Sequence, residues 1–110
     1  MIEIKHEEQW DNSEGHHTIT IKGHSGYAPI GEDIVCAGVS TLAYTLRARL
    51  EEIKAWDYDV KDKHGEMTIS CTITPYDQDM EEAVEFAMTG FKLMAKHYPK
   101  WVKVIDQRGV

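Results

Sequence analysis

The sequence predicts an α+β fold in two layers, with a mostly antiparallel sheet that carries two helices on one face. Two runs place apolar residues at helical spacing, and five short runs alternate apolar with polar residues, as half-buried strands do. Turn clusters join the strands in pairs, which favours hairpins and therefore antiparallel neighbours. The predicted order is β-β-α-β-β-α-β. A chain of 110 residues fits one domain, residues 1–110.

The first hairpin comes from two alternating runs, residues 1–8 and 16–22, with a polar turn cluster at residues 11–15 between them. Residues 23–31 break the alternation with three glycines and a proline. This composition predicts a flexible loop between the hairpin and the first helix.

The first helix is predicted to begin directly after Asp33, which is a favoured N-cap residue. Its apolar stripe has steps of three or four residues: Val35, Val39, Leu42, Leu46, Leu50 and Ile53. A second hairpin follows, formed by residues 56–61 and 67–74 around a turn at residues 62–65.

The second helix is predicted over residues 79–98, with acidic residues at its start and basic residues near its end, as the helix dipole prefers. Its apolar stripe consists of Met80, Val84, Ala87, Phe91, Met94 and Tyr98. Residues 101–105 form the last predicted strand.

The charge and the hydropathy of the chain argue against nucleic acids and membranes as partners. The formal charge is −7, from 12 Lys and Arg against 19 Asp and Glu, and no basic stripe is present. Direct binding to nucleic acid is therefore not expected, because phosphate neutralisation supplies most of that affinity. No run resembles a signal peptide or approaches the ~20 apolar residues of a membrane span. A cytoplasmic protein with no membrane association is predicted.

The two cysteines differ in context. Cys71 shares a strand face with Ile69 and Ile73, which predicts a buried, unreactive side chain. Cys36 falls in the first turn of the first helix, where unpaired N–H groups and the helix dipole stabilise a thiolate. The neighbouring carboxylates of Glu32 and Asp33 oppose that effect. By position alone, such a cysteine is more often structural than catalytic.

His24 is the candidate that gives Cys36 a chemical partner. Strand alternation places it on the polar face of the second strand, at the strand end, and the glycine-rich loop could return its imidazole over the helix start. A Cys–His pair would then activate the thiol, although an exposed loop histidine is the plainer interpretation. Ser40 lies one helical turn after Cys36. It could support the site by a hydrogen bond or be a tolerated helix serine.

The remaining histidines are scattered and lack the Cys/His spacing of a zinc site, so neither a metal nor a cofactor is predicted. These histidines are His6, His16, His17, His64 and His97.

The segment 23–40 contains a Gly-His pair, a short glycine-containing loop, and then Gly-Glu-Asp-Ile-Val-Cys-Ala-Gly-Val-Ser. This pattern closely resembles the signature of the ribosomal-processing cysteine proteases, a small bacterial family. The length of the chain and the order of its elements resemble the family as well. Two positions depart from the pattern: Ser25 and Gly38 stand where the family often has alanine.

The resemblance implies a cysteine endopeptidase that removes a short N-terminal extension from a large-subunit ribosomal protein during ribosome maturation. The hydrophobic and aromatic end of the extension is recognised before the cut. Cys36 would be the nucleophile and His24 the general base. Backbone N–H groups at the start of the first helix would be oxyanion donors.

The resemblance also implies a homodimer and a loop that moves to admit substrate. The supporting residues would be Asp33, Ser40 and Gly23, and the gating residues would be Ser25, Gly26, Tyr27 and Gly31. Whether Asp33 acts in the site or only caps the helix stays open at this stage. The alternative function is a non-catalytic ribosome-associated module that binds a basic ribosomal protein. A thiol redox sensor would need a resolving thiol beside Cys36.

Overall fold

The computed structural model describes residues 1–108 and contains the predicted elements in the predicted order. The elements are β1 (Ile2–Asp11), β2 (Glu14–Lys22), α1 (Ile34–Glu52), β3 (Tyr58–Lys63), β4 (Glu66–Ile73), α2 (Gln78–His97) and β5 (Val102–Arg108). Boundaries differ from the predicted ones by at most three residues. Within these residues, no helix is both long enough and apolar enough to cross a membrane.

The five strands form one sheet in the order β3-β4-β2-β1-β5. Pairing is antiparallel everywhere except between β1 and β5, which are parallel. The chain crosses from β2 to β3 through α1, and from β4 to β5 through α2. The two crossovers start on antiparallel strands and move toward opposite edges. Right-handed crossovers therefore place both helices on the same face of the sheet, and the two-layer α+β prediction is confirmed.

The core lies between this sheet face and the two helices. Both predicted helix stripes supply it, although some of their residues are only partly buried: Leu42, Ile53, Met94 and Tyr98. Ala43 and Met88, outside the predicted stripes, are buried as well. The helices approach closely at Gly38, where an added Cβ would lie 2.7 Å from Met94 Cε. The glycine at this position thus provides room for the tip of a flexible side chain from α2.

Candidate functional site

Cys36 lies in the first turn of α1, and the cap of that helix determines its position. Asp33 is the N-cap, as predicted, and its Oδ1 accepts the backbone N–H of Cys36 at 2.9 Å. The backbone carbonyl of Asp33 also accepts the N–H of Ala37 at 3.1 Å. The side chain of Cys36 is half-buried. These contacts hold the thiol at the helix N-terminus with one side open.

Ser25 is the residue that contacts the thiol most closely. Its backbone N–H donates to Cys36 Sγ at 3.5 Å, and its Oγ lies 3.7 Å from the same sulfur. The Ser25 hydroxyl donates to the carboxylate of Asp33. That hydrogen bond, together with the one from the Cys36 N–H, lowers the pKa of Asp33 to about 2. Asp33 therefore connects the helix cap to the loop, and its carboxylate is ionised at neutral pH.

A cleft of about 230 Å³ opens beside Cys36 and brings four of the predicted site residues together. His24, Gly23 and Ser40 line it with Cys36. Its apolar wall consists of Ile2, Ile21, Val39, Ala43, Tyr44 and Met67. No hydrogen bond joins His24 to Cys36 within the described part of the chain. The imidazole and the thiol thus share a cleft without a hydrogen bond between them.

His24 lines the cleft directly after Gly23. The φ of +91° at Gly23 interrupts the strand alternation, so the face of His24 does not follow from its parity in β2. The Gly23 N–H donates to the carbonyl of Gly65 at 3.0 Å, and an added Cβ at Gly23 would lie 2.6 Å from the carbonyl oxygen of Met1. Both the conformation and the close approach require glycine at position 23, directly before His24.

The loop over the start of α1 is packed against the protein at Tyr27 and exposed at its tip. The ring of Tyr27 packs edge-on against Trp101 and Tyr98, with centroid distances of 5.0 and 5.8 Å. Ile30 at the tip is fully exposed. Gly26 and Gly31, which flank this segment, have positive φ and open space where a Cβ would point. The base of the loop is therefore packed, and its tip is exposed.

Cys71 is buried in the core, as predicted, with 5% of its surface exposed. Burial, with smaller contributions from the negative charges of Glu81 and Asp57, raises the pKa of its thiol to about 12. Both cysteines are free. Cys71 is therefore an unreactive core residue and not a resolving thiol for Cys36.

The sequence analysis missed one polar cluster, formed by His6 and His17. Both rings are buried, at 0% and 1% exposure, between the sheet and α2. The alternation in β1 and β2 was a usable signal, since it aligns His6 with Ile4 and His17 with Ile19 on the core face.

Several comparisons with known proteins agree on one family. The model of the family described as cysteine protease Prp matches residues 1–103. The ribosomal processing cysteine protease Prp of Mycoplasma pneumoniae is 26% identical over 93 residues, which cover 84% of this chain and 90% of that protein.

Solved structures show the same fold. The essential ribosomal processing protease Prp from S. aureus, in complex with a covalently linked product peptide, superposes with a TM-score of 0.84 at 16% identity. The S. aureus protease in complex with a substrate peptide gives a TM-score of 0.78 at 15% identity. Each match covers 97% of this chain and 100% of the other.

Proposed function

The chain belongs to the cysteine protease Prp family, and on that premise we propose that it removes a short N-terminal extension from a large-subunit ribosomal protein during ribosome maturation. The observation that carries the proposal is the position of Cys36. Its thiol lies at a helix N-terminus, receives a backbone N–H, and opens into a cleft that also holds a histidine.

In the proposed reaction, His24 takes the proton of the Cys36 thiol and the thiolate attacks the scissile carbonyl carbon. The C–N bond then breaks, His24 returns the proton to the leaving amine, and an acyl-enzyme remains. Water hydrolyses the thioester with His24 as base, which regenerates the thiol. His24 must approach Cys36 for the first step. Such contacts commonly tighten only when substrate binds.

The oxyanion formed in this reaction needs donors near Cys36 Sγ. Asp33 already accepts the N–H groups of Cys36 and Ala37, so two of the expected donors at the helix start are occupied. The Ser25 N–H, which points at Sγ, is the donor we propose instead. Asp33 would then have a second role beyond its cap, because it holds the Ser25 hydroxyl and thus the position of that N–H.

The substrate side of the proposal rests on the apolar character of the cleft and its rim. Ile21, Val39 and Met67 line the cleft, and Tyr44, which also lines it, is about half exposed. Apolar walls of this kind favour a hydrophobic or aromatic side chain next to the cut. This matches the hydrophobic and aromatic end expected of the ribosomal extension.

A cleavage assay tests the function. A peptide that spans the extension and the mature start of the ribosomal protein from the same genome is incubated with the reduced protein, and the products are identified by mass spectrometry. We expect one cut at the junction. Replacement of the aromatic residue before the cut by alanine should lower kcat/KM at least about tenfold, since an aromatic side chain buries a large apolar area.

Two outcomes would contradict this proposal. Binding of the intact peptide without cleavage would favour the non-catalytic module that holds a basic ribosomal protein. Equal cleavage of both peptides would reject the proposed recognition of the aromatic side chain.

We also propose that the protein works in the cytoplasm as a homodimer, the assembly that the family resemblance implies. The surface we assign to the second copy is a groove of about 340 Å³ between α1 and α2, lined in part by Leu42 and Leu46. Phe86 lies at this groove with 77% of its surface exposed. An exposed aromatic beside an apolar groove is typical of a protein–protein contact.

Sedimentation velocity tests the homodimer. The wild-type protein should sediment as a dimer, and Phe86→Glu should sediment as a monomer because it places a charge in the interface. Tyr76→Glu is the matched control, since Tyr76 is 93% exposed and lies outside this groove. A monomeric wild type, or a Phe86→Glu protein that remains dimeric, would contradict the assignment.

A further inference from the structure

A chain of four polar side chains, of which the two histidines are buried, links β1, β2, α2 and β5. Asp106 Oδ1 lies 2.8 Å from His6 Nδ1, and His6 Nε2 lies 2.8 Å from His17 Nδ1. His17 Nε2 lies 2.9 Å from Glu81 Oε2. The proposed protease chemistry uses none of these groups.

This chain is one proton short. It contains three nitrogen-to-acceptor contacts, and each contact requires a proton between its two atoms. Two neutral imidazoles carry only two. If His6 donates to Asp106 and His17 donates to His6, then His17 Nε2 presents a lone pair to the carboxylate of Glu81. The position between those two atoms then holds either a further proton or a metal cation, and the titration below distinguishes the two.

The charges around the chain also favour a cation at this position. Lys92 lies 2.7 Å from Asp106, and Arg108 lies 2.6 Å from Glu85. Two further carboxylates converge on His17, those of Glu81 at 2.9 Å and Glu8 at 3.7 Å. Four carboxylates thus face two cationic side chains, which leaves a charge of −2 when the imidazoles are neutral. A dication would neutralise it.

We propose that Glu8, His17 Nε2 and Glu81 form a binding site for a divalent transition metal of the Zn²⁺ class. Their ligand atoms all lie within 4.8 Å of one another. Two ligands on a tetrahedral zinc with bonds of ~2.0–2.2 Å lie about 3.4 Å apart. The distances from His17 Nε2, 2.9 and 3.7 Å, bracket that value. Shifts of a few tenths of an ångström in two glutamates complete the geometry.

The second nitrogen of His17 supports the same assignment. A histidine that ligates a metal almost always donates its other ring N–H to an acceptor that fixes its tautomer. Here His17 Nδ1 lies 2.8 Å from His6 Nε2, and His6 Nδ1 lies 2.8 Å from Asp106 Oδ1, so a metal-bound His17 would donate to His6. Glu81 retains 34% exposure of its side chain, so an ion can enter from solvent and keep a water as its fourth ligand.

The role of the site would be structural, because its ligands join β1, β2 and α2. His17 lies four residues before Ile21, which lines the Cys36 cleft. Four residues span about 13 Å along a strand. The proposal is therefore independent of the proposed cleavage reaction.

Calorimetric titration of the full-length, chelator-treated and reduced protein, without a histidine tag, tests the site. We expect one Zn²⁺ per chain and a higher thermal unfolding midpoint with Zn²⁺ present, but no such effect from Mg²⁺, which prefers an all-oxygen site. Co²⁺ bound at the site should give d–d bands without the thiolate–cobalt charge-transfer absorption that ligation by Cys36 would produce.

Four variants locate the ion. Glu8→Gln and Glu81→Gln keep the shape of each side chain and should each weaken Zn²⁺ binding at least about tenfold. Glu82→Gln, at the exposed position next to Glu81, and Cys36→Ala should bind Zn²⁺ like the wild type. Circular dichroism confirms the fold of each. The absence of saturable Zn²⁺ binding would overturn the proposal. Unchanged affinity in both glutamine variants at the site, or loss of binding in Cys36→Ala, would overturn it as well.

Discussion

Replacement of Cys36 by alanine is expected to lower kcat/KM for the ribosomal peptide at least about 10⁴-fold, because no other described side chain in the cleft can form the acyl-enzyme. Ser40 also lines the cleft, but a serine hydroxyl needs a base in direct contact to attack a carbonyl. The measurement is the initial cleavage rate by mass spectrometry. The thermal unfolding midpoint should change little, since Cys36 is half-buried at the end of a helix.

The matched control is Cys71→Ala. Cys71 has 5% of its surface exposed, in the core, and its loss should cost about 1 kcal/mol of unfolding free energy while leaving kcat/KM near that of the wild type. Cleavage by Cys36→Ala at a wild-type rate, or loss of cleavage in a folded Cys71→Ala protein, would contradict the assignment of the nucleophile.

Alkylation of the native wild type gives a second readout of the same assignment. Iodoacetamide at neutral pH should label Cys36 alone, because burial holds the pKa of the Cys71 thiol at about 12. Both cysteines should react in denaturant. A single label on Cys71 in the native protein would contradict the structure around both residues.

Replacement of His24 by alanine is expected to lower kcat about 10²- to 10⁴-fold, the usual contribution of a general base. His24 is exposed at the mouth of the cleft, so the variant should keep the thermal unfolding midpoint of the wild type. It should also keep KM within a few-fold. This combination separates a chemical role from a packing role.

Two further measurements test whether the imidazole itself is needed. Free imidazole should partly restore cleavage by His24→Ala in a saturable manner, because the vacated position is open to solvent. The control is His64→Ala, which removes an exposed histidine next to Gly65, one of the residues lining the same cleft. Full activity of His24→Ala without imidazole would reject His24 as the base, as would equal losses in both variants.

The local features of this fold could be predicted from the sequence. Alternating apolar residues placed Cys71 with Ile69 and Ile73 on the core face, and the structure buries all three. The Asp33 cap was predictable because its side chain bonds to an N–H only three residues away. Both cysteines could be placed from such short-range patterns.

The parallel pairing of β5 could not be predicted in the same way. It follows from the position of β1 at one side of the β1–β2 hairpin and from the crossover through α2, which brings residue 102 beside residue 2. Strand alternation is the same for parallel and antiparallel neighbours, so the sequence pattern carries no information on this choice.

The candidate site likewise has features that the sequence predicts and features that depend on the tertiary structure. A local motif was enough to propose Cys36 and His24 as partners, and the structure places both in one cleft. The contact between Ser25 and Cys36 spans 11 residues and depends on the path of a glycine-rich loop, which no periodicity describes. His24 lines the cleft, and the positive φ of Gly23 just before it interrupts the strand alternation from which its face was predicted.

Short-range order is what the sequence by itself determined here: which segments are helices or strands, which face of each is apolar, and where the first helix begins. These properties depend on side chains within a few residues of one another, through backbone geometry and helix capping. The tertiary structure alone decided which polar groups meet. His6 and Asp106 are 100 residues apart, and only the order of the strands makes them neighbours.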